Sequence, residues 1–211
     1  MIMDYGFIKV AAAIPHVQVA DCSYNVERIE ALIRRASEQE VQIVGFPELS
    51  VTAYTCLDLF TQQTLLDNAE EALFRLVGNT RELDILAIVG IPLRTENRIV
   101  NAAVVFQKGK ILGVVPKTYL PNYNEFQERR WFTSAAELRK TSIRLGGIEI
   151  PLGSRLIFNS GKISVGMEIC EDLWVPNPPS TNYAMAGATV IANLSASDEV
   201  TGKDNYRKNL V

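Results

Sequence analysis

Three short apolar runs in this chain each stop abruptly and hand over to an ionisable side chain, and this pattern constrains the fold most. Residues 41–46 (VQIVGF) end at Pro47, with Glu48 next. Residues 110–115 (KILGVV) end at Pro116, with Lys117 next, and residues 162–169 deliver Cys170, followed at once by Glu171 and Asp172. Such runs are too short for core helices and read as buried strands. Proline then ends two of them, because it has no N–H for a central ladder. The outcome is a sheet system that displays Glu48, Lys117 and Cys170 at strand ends, the rim where α/β sheets usually bind ligands.

The rest of the chain supplies the partners of these strands. Residues 7–14 (FIKVAAAI) read as a buried strand, and Asp21-Cys22-Ser23 starts a helix that carries Val26, Ile29, Leu32 and Ile33 at helical spacing. A second helix covers residues 64–76, and residues 85–91 (ILAIVGI) read as a third buried strand. Residues 101–106 and 110–115 pair as a hairpin across Lys108-Gly109. Residues 148–152 and 155–158 read as a further strand pair, the first at an edge because of Pro151. A small-residue helix over 180–187 feeds a strand over 189–194, and residues 204–211 begin an amphipathic helix that stops part-way. No repeat, low-complexity tract or linker interrupts the chain. The expectation is one α/β domain over residues 1–211, with helices outside its sheets, cut from a longer protein.

Composition narrows the partners. A net charge of −3 with scattered Lys and Arg gives no basic stripe, which argues against nucleic acid. The longest apolar stretch, residues 85–93, is half of the roughly 20 residues that span a bilayer, so no membrane partner is expected. The N-terminus carries Asp4 rather than the basic and apolar segments of a secretion signal. Three cysteines without a C-x-x-C pair, and a single histidine, His16, leave no zinc pattern. A cytoplasmic protein with reduced thiols and a small-molecule partner fits best.

A free thiol has a pKa of about 8.5 and needs a base or a cation beside it to act as a nucleophile at neutral pH. His16 would have to supply a Cys–His pair; Glu48 as base with Lys117 as cation is the alternative. Cys22 and Cys56 read as inert thiols.

The motifs around these residues carry a resemblance. Residues 46–49 (FPEL), Pro116-Lys117 with Glu125 eight residues on, and Cys170-Glu171-Asp172 resemble the Glu–Lys–Cys motifs of the nitrilase (carbon–nitrogen hydrolase) superfamily. Within it, residues 48–54 (ELSVTAY), 117–132 (KTYLPNYNEFQERRWF), 169–174 (ICEDLW) and 193–203 (NLSASDEVTGK) resemble the N-terminal glutaminase domains of the glutamine-dependent NAD synthetase family. The resemblance runs along essentially the whole chain.

It implies a nitrilase-like four-layer α-β-β-α sandwich with its C-terminal part missing, acting as a glutamine amidohydrolase. By this resemblance Cys170 attacks the carboxamide, Glu48 takes the thiol proton, Lys117 steadies the oxyanion and Glu125 orients the lysine. Tyr123 and Ser197 hold the amino-acid end of L-glutamine, while Tyr54, Phe126 and Glu128 line the pocket. Lys203 stands where many relatives carry an arginine, keeping the charge but not the two-pronged grip on a carboxylate. The glutaminase domain itself needs no cofactor or metal. ATP, Mg and deamido-NAD belong to a synthetase domain absent from this chain, which contains neither a Ser-Gly-Gly-x-Asp-Ser nor a Gly-x-x-x-x-Gly-Lys-Ser/Thr loop. A homo-oligomer is also implied. Two other readings stay open: a free-standing amidase or carbamoylase of the superfamily, and an inactive scaffold or oligomerisation fragment.

Overall fold

Two sheets meet face to face in the computed structural model, which describes residues 6–160 and 163–210. Asp4, Lys162 and Val211 lie outside the described residues. The first sheet holds five strands in the order β1 (Val10–Ala12), β2 (Ile43–Gly45), β3 (Leu86–Thr95), β4 (Arg98–Gln107) and β5 (Lys110–Pro116). Its first three strands are parallel, and β4 runs against both neighbours. The second sheet has β9 (Ile163–Ile169) at its centre, flanked by antiparallel β8 (Ile157–Ser160) and parallel β10 (Val190–Leu194).

Strand alternation builds two cores from these sheets, because successive side chains point to opposite faces. Val44, Val89, Ile91, Val104 and Phe106 face helices α1 (Cys22–Glu38) and α2 (Gln63–Asn79). The opposite face, with Ile43, Ile88, Ala103, Val105 and Val115, packs on Val165, Met167 and Ile169 of the second sheet. Asp21 caps α1 by accepting from the Tyr24 N–H at 3.0 Å, and Ile29 and Ile33 on its inner side are fully buried. Helix α3 (Pro179–Met185) closes the far face: Tyr183 lies so close over Gly166 of β9 that a Cβ there would sit 2.6 Å from its ring. The layers are thus helix, sheet, sheet, helix, the four-layer sandwich expected. Among the described residues, no helix is long and apolar enough to cross a membrane.

Three details differ from the sequence-based expectation. The run at residues 7–14 is not buried: β1 is a three-residue edge strand, with Phe7 89% and Ile14 83% exposed. Residues 148–152 do not pair with 155–158. Instead β7 (Ile148–Pro151) folds back on β6 (Ser142–Leu145) across Gly146-Gly147. Both glycines adopt φ near +52° and +80°, the left-handed region a two-residue turn requires. Finally, β3 and β4 extend to a turn at Glu96-Asn97, again with positive φ.

Candidate active site

Glu48 reaches the seam between the sheets because β3 carries a glycine opposite it. Pro47 ends β2, and the turn that follows presses on Gly90 so closely that a Cβ there would lie 2.2 Å from the Leu49 nitrogen. The Val51 N–H donates to the Gly90 carbonyl at 3.1 Å and holds the turn down. Lys117 leaves β5 at the same rim, its backbone N–H bonded to the Asn101 carbonyl of β4 at 2.8 Å.

The charged side chains then meet in the interior. The Lys117 ammonium donates to Glu48 Oε1 at 2.6 Å and to Glu128 Oε1 at 2.7 Å. Asn101 Nδ2 donates to the same Glu48 oxygen at 2.6 Å, and the Ala196 N–H reaches Glu48 Oε2 at 3.3 Å. The Tyr54 hydroxyl donates to Glu128 Oε1 at 2.8 Å. All three ionisable groups are buried, Lys117 completely. Burial alone would lower the lysine pKa, but the two carboxylates overcome it and hold the ammonium charged above its ordinary range. Burial raises Glu128, and repulsion from Glu48 adds to the rise.

The glutamate that meets Lys117 beside Glu48 is therefore Glu128, not Glu125. Residues Glu128–Arg130 form a single 3-10 turn, and the Glu128 N–H bonds back to the Pro121 carbonyl at 3.1 Å, which turns this side chain inward. Glu125 sits on the exposed loop before it, where its carboxyl interacts with Asp198.

Cys170 follows β9 in a left-handed conformation, φ +46°, and opens a 3-10 turn over Cys170–Leu173. A side chain in this region is strained, which marks the turn as a site held by its surroundings. Cys170 is only 5% exposed and packs at the end of the inter-sheet core. Burial, then the charge of Glu48, pushes the thiol up to about 11, while Lys117 and a hydrogen bond from Ser195 pull the other way. The resting group at neutral pH is a thiol, so a base must take its proton before it can attack.

Around this centre, Phe126 packs edge-on against Tyr54 and Tyr123, with ring centroids 6.3 and 5.9 Å apart. The Tyr123 hydroxyl donates to Glu171 at 2.8 Å. Lys203, at the start of α4 (Lys203–Leu210), donates to the Ser197 hydroxyl at 2.6 Å, pairs with Asp198 and lies over the Trp174 ring. Its charge is thus already matched by a carboxylate. The structure therefore joins Glu48, Lys117, Glu128 and Tyr54 in one bonded cluster, electrostatically coupled to Cys170. Tyr123 and Phe126 adjoin that cluster, while Ser197, Lys203 and Asp198 form a neighbouring group that Glu125 joins through Asp198 rather than through Lys117. His16 is exposed and plays no part in it.

Asn101 and Ser195 were not singled out from the sequence. For Asn101 a signal exists: it is the one amide in the apolar run 99–106, and a polar side chain in the middle of a buried strand must find a partner. Ser195 carries no comparable signal.

Residues 9–207 match the carbon–nitrogen hydrolase family. The chain is 41% identical over 208 residues to the glutamine-dependent NAD(+) synthetase of Mycobacterium bovis, covering 97% of this chain and 30% of that protein. It thus spans about a third of the length of the curated relatives it matches. Among solved structures, a glutamine-dependent NAD(+) synthetase from Cytophaga hutchinsonii superposes with a TM-score of 0.85 at 29% identity, over 97% of this chain and 33% of that one. An amidase from Nesterenkonia shares the fold at a TM-score of 0.71 and 17% identity, over 93% of this chain and 68% of that one.

Proposed function

The chain belongs to the carbon–nitrogen hydrolase family, and from that premise we propose that it hydrolyses the side-chain amide of L-glutamine as the glutaminase domain of a glutamine-dependent NAD synthetase. The ammonia released would amidate deamido-NAD, with ATP and Mg used outside these residues, in a cytoplasmic homo-oligomer. The observation that carries the reading is the buried ammonium of Lys117 held between Glu48 and Glu128 at a nucleophile turn. The 41% identity to a glutamine-dependent relative supports the choice of amide.

Each residue then has a defined step. Glu48 takes the Cys170 proton, and the sulfur attacks the carboxamide carbon. The negative charge that develops on the amide oxygen falls to the Lys117 ammonium and to the backbone N–H following Cys170, donors fixed before the reaction begins. The carbon–nitrogen bond breaks, ammonia leaves with the proton held on Glu48, and a glutamyl thioester remains on Cys170. Water, deprotonated by the same carboxylate, releases glutamate and restores the thiol. Glu128 and Tyr54 keep the lysine aimed, so that it need not reorganise during the reaction. Tyr123 and Ser197 are proposed to grip the amino-acid end of glutamine, with Phe126 as a pocket wall. Lys203 is proposed to order the Ser197 segment through its pairing with Asp198.

The test is glutamate and ammonia release from L-glutamine by the full protein, with Cys170→Ala as the blank. Turnover that vanishes in the variant is the expected result. Turnover that survives it rejects Cys170, and turnover of simple aliphatic amides but not glutamine assigns the chain to free-standing amidases.

A further inference from the structure

Lys117 and Cys170 leave different sheets: the lysine follows an edge strand of the first, and the cysteine follows the central strand of the second. Those sheets meet through aliphatic side chains, and hydrophobic contact is non-directional, so it does not fix a separation at the rim. Chemistry at the site does need a fixed one, since a misplacement of about 1 Å can lower a rate roughly 10²-fold.

One buried carboxylate bridges the two exits. Asp172 Oδ2 accepts from the N–H of Ile169, the residue before the nucleophile, at 3.0 Å. Its Oδ1 accepts from the N–H groups of Thr118 and Tyr119, the two residues after the lysine, at 3.1 and 2.8 Å. The side chain is 2% exposed, so water does not compete for these bonds. Burial pushes its carboxyl up to about 7, against the pull of the three N–H groups and Lys117. A role confined to closing the turn after Cys170 would need only the Ile169 bond. The bonds to Thr118 and Tyr119 reach 54 and 53 residues back along the chain and serve no local turn.

We propose that Asp172 is a positioning residue that sets the separation of Cys170 and Lys117 by clamping the exits of β9 and β5 to each other. The proposal rests on the nucleophile and oxyanion roles given above. Asp172→Asn tests it at nearly constant volume: an amide keeps one acceptor and presents a donor to N–H groups that already point inward, so at least one side of the clamp must open.

In the full protein, glutamine turnover per folded molecule is expected to fall roughly 10²-fold with KM changed less than about threefold. Hydrogen exchange should quicken by about tenfold or more, the worth of a lost buried bond, at Ile169 or at Thr118 and Tyr119, while mid-strand amides of β9 and β5 keep their protection. Asp172→Glu, which retains both acceptor oxygens, should recover part of kcat, as a simple loss of folded protein would not. Wild-type kcat in Asp172→Asn overturns the clamp, and so does a lowered kcat with unchanged exchange at all three amides. If Asp172→Asn does not fold, Asp172→Glu decides: a reduced kcat with faster exchange at those amides supports the clamp, and wild-type values for both overturn it. A wild-type protein that does not hydrolyse glutamine sinks the proposed function instead, and the exchange measurement still decides the clamp.

Discussion

The two cores of this domain treat buried polarity in opposite ways. On the helix side, the fully buried Asn25 spends its amide on structure: Oδ1 accepts from the Gln18 N–H at 2.7 Å, and Nδ2 donates to the carbonyls of Gln18 and Val51 at 2.9 and 3.0 Å. In the seam between the sheets, the rim buries an ammonium and two carboxylates, and Asn101 Oδ1 and Glu128 Oε2 have no hydrogen-bond partner among the described residues. A polar group buried without a partner costs about 1–3 kcal/mol. A chain selected for stability alone would not keep such groups, whereas one that must polarise an amide would. The helix side is built to hold, and the seam carries the charged cluster to which we assign the chemistry.

Substitutions should separate these two regions, and the largest effect belongs to the seam. Lys117→Met leaves Glu48 and Glu128 facing each other without a cation; breaking a buried pair in this way costs about 3–5 kcal/mol. Glutaminase turnover should fall at least about 10²-fold even per folded molecule, as for loss of one oxyanion donor. A variant with near-normal turnover would break the comparison. Leu73→Ala, in the fully buried inner side of α2, should cost about 2–5 kcal/mol in denaturant unfolding and leave kcat per folded molecule unchanged. A specific loss of kcat there would erase the distinction between the regions.

Glu128→Gln sharpens it. The change leaves Lys117 paired one-to-one with Glu48, so kcat should drop while stability holds or rises, a split no helix-side substitution should give. The pH dependence has a definite sign. Burial raises the Glu128 pKa above the 4.5 of an ordinary glutamate, so the folded state favours the protonated form. Below pH 4.5 both folded and unfolded chains carry the proton, and the variant should match the wild type apart from contact changes. As pH climbs through the raised value, ionisation becomes a growing penalty that only the wild type bears. Melting curves from pH 4 to 8 should therefore diverge in favour of Glu128→Gln; convergence would contradict the assignment. The smallest effect is expected at the surface. Asp58 bonds Arg130 and Trp131 in solvent, and because exposed pairs contribute little, Asp58→Ala should leave both turnover and melting temperature within experimental scatter.

The sequence revealed the skeleton of the seam but not its fine register. Glu48, Lys117 and Cys170 could be placed because proline or a change of pattern ends each strand, and such breaks are legible from the order of residues alone. The choice between Glu125 and Glu128 was not legible. Glu125 lies in an irregular loop and Glu128 in a single 3-10 turn too short to show a period, and a bond from the Glu128 N–H to the Pro121 carbonyl decides which one turns inward. The exposure of Phe7 and Ile14 was hidden for a different reason: an apolar run states that a strand can be buried, not whether anything in the chain covers it. The hairpin at Gly146-Gly147 was missed because β6 is only four residues long, too short for alternation to stand out. Asp172 is visible only as part of a motif, since two of its three partners, Thr118 and Tyr119, lie 54 and 53 residues back along the chain.

The central claim is that the Cys170 thiol, neutral at rest, becomes the acyl carrier once Glu48 takes its proton. The most direct measurement is peptide mass spectrometry of the full protein quenched in acid during glutamine turnover. The account predicts a glutamyl group on the peptide that contains Cys170, absent when Glu48 is replaced by Gln. Steady glutamate release with an unmodified Cys170 at every quench time, or with the glutamyl group on Cys22 or Cys56, would contradict it.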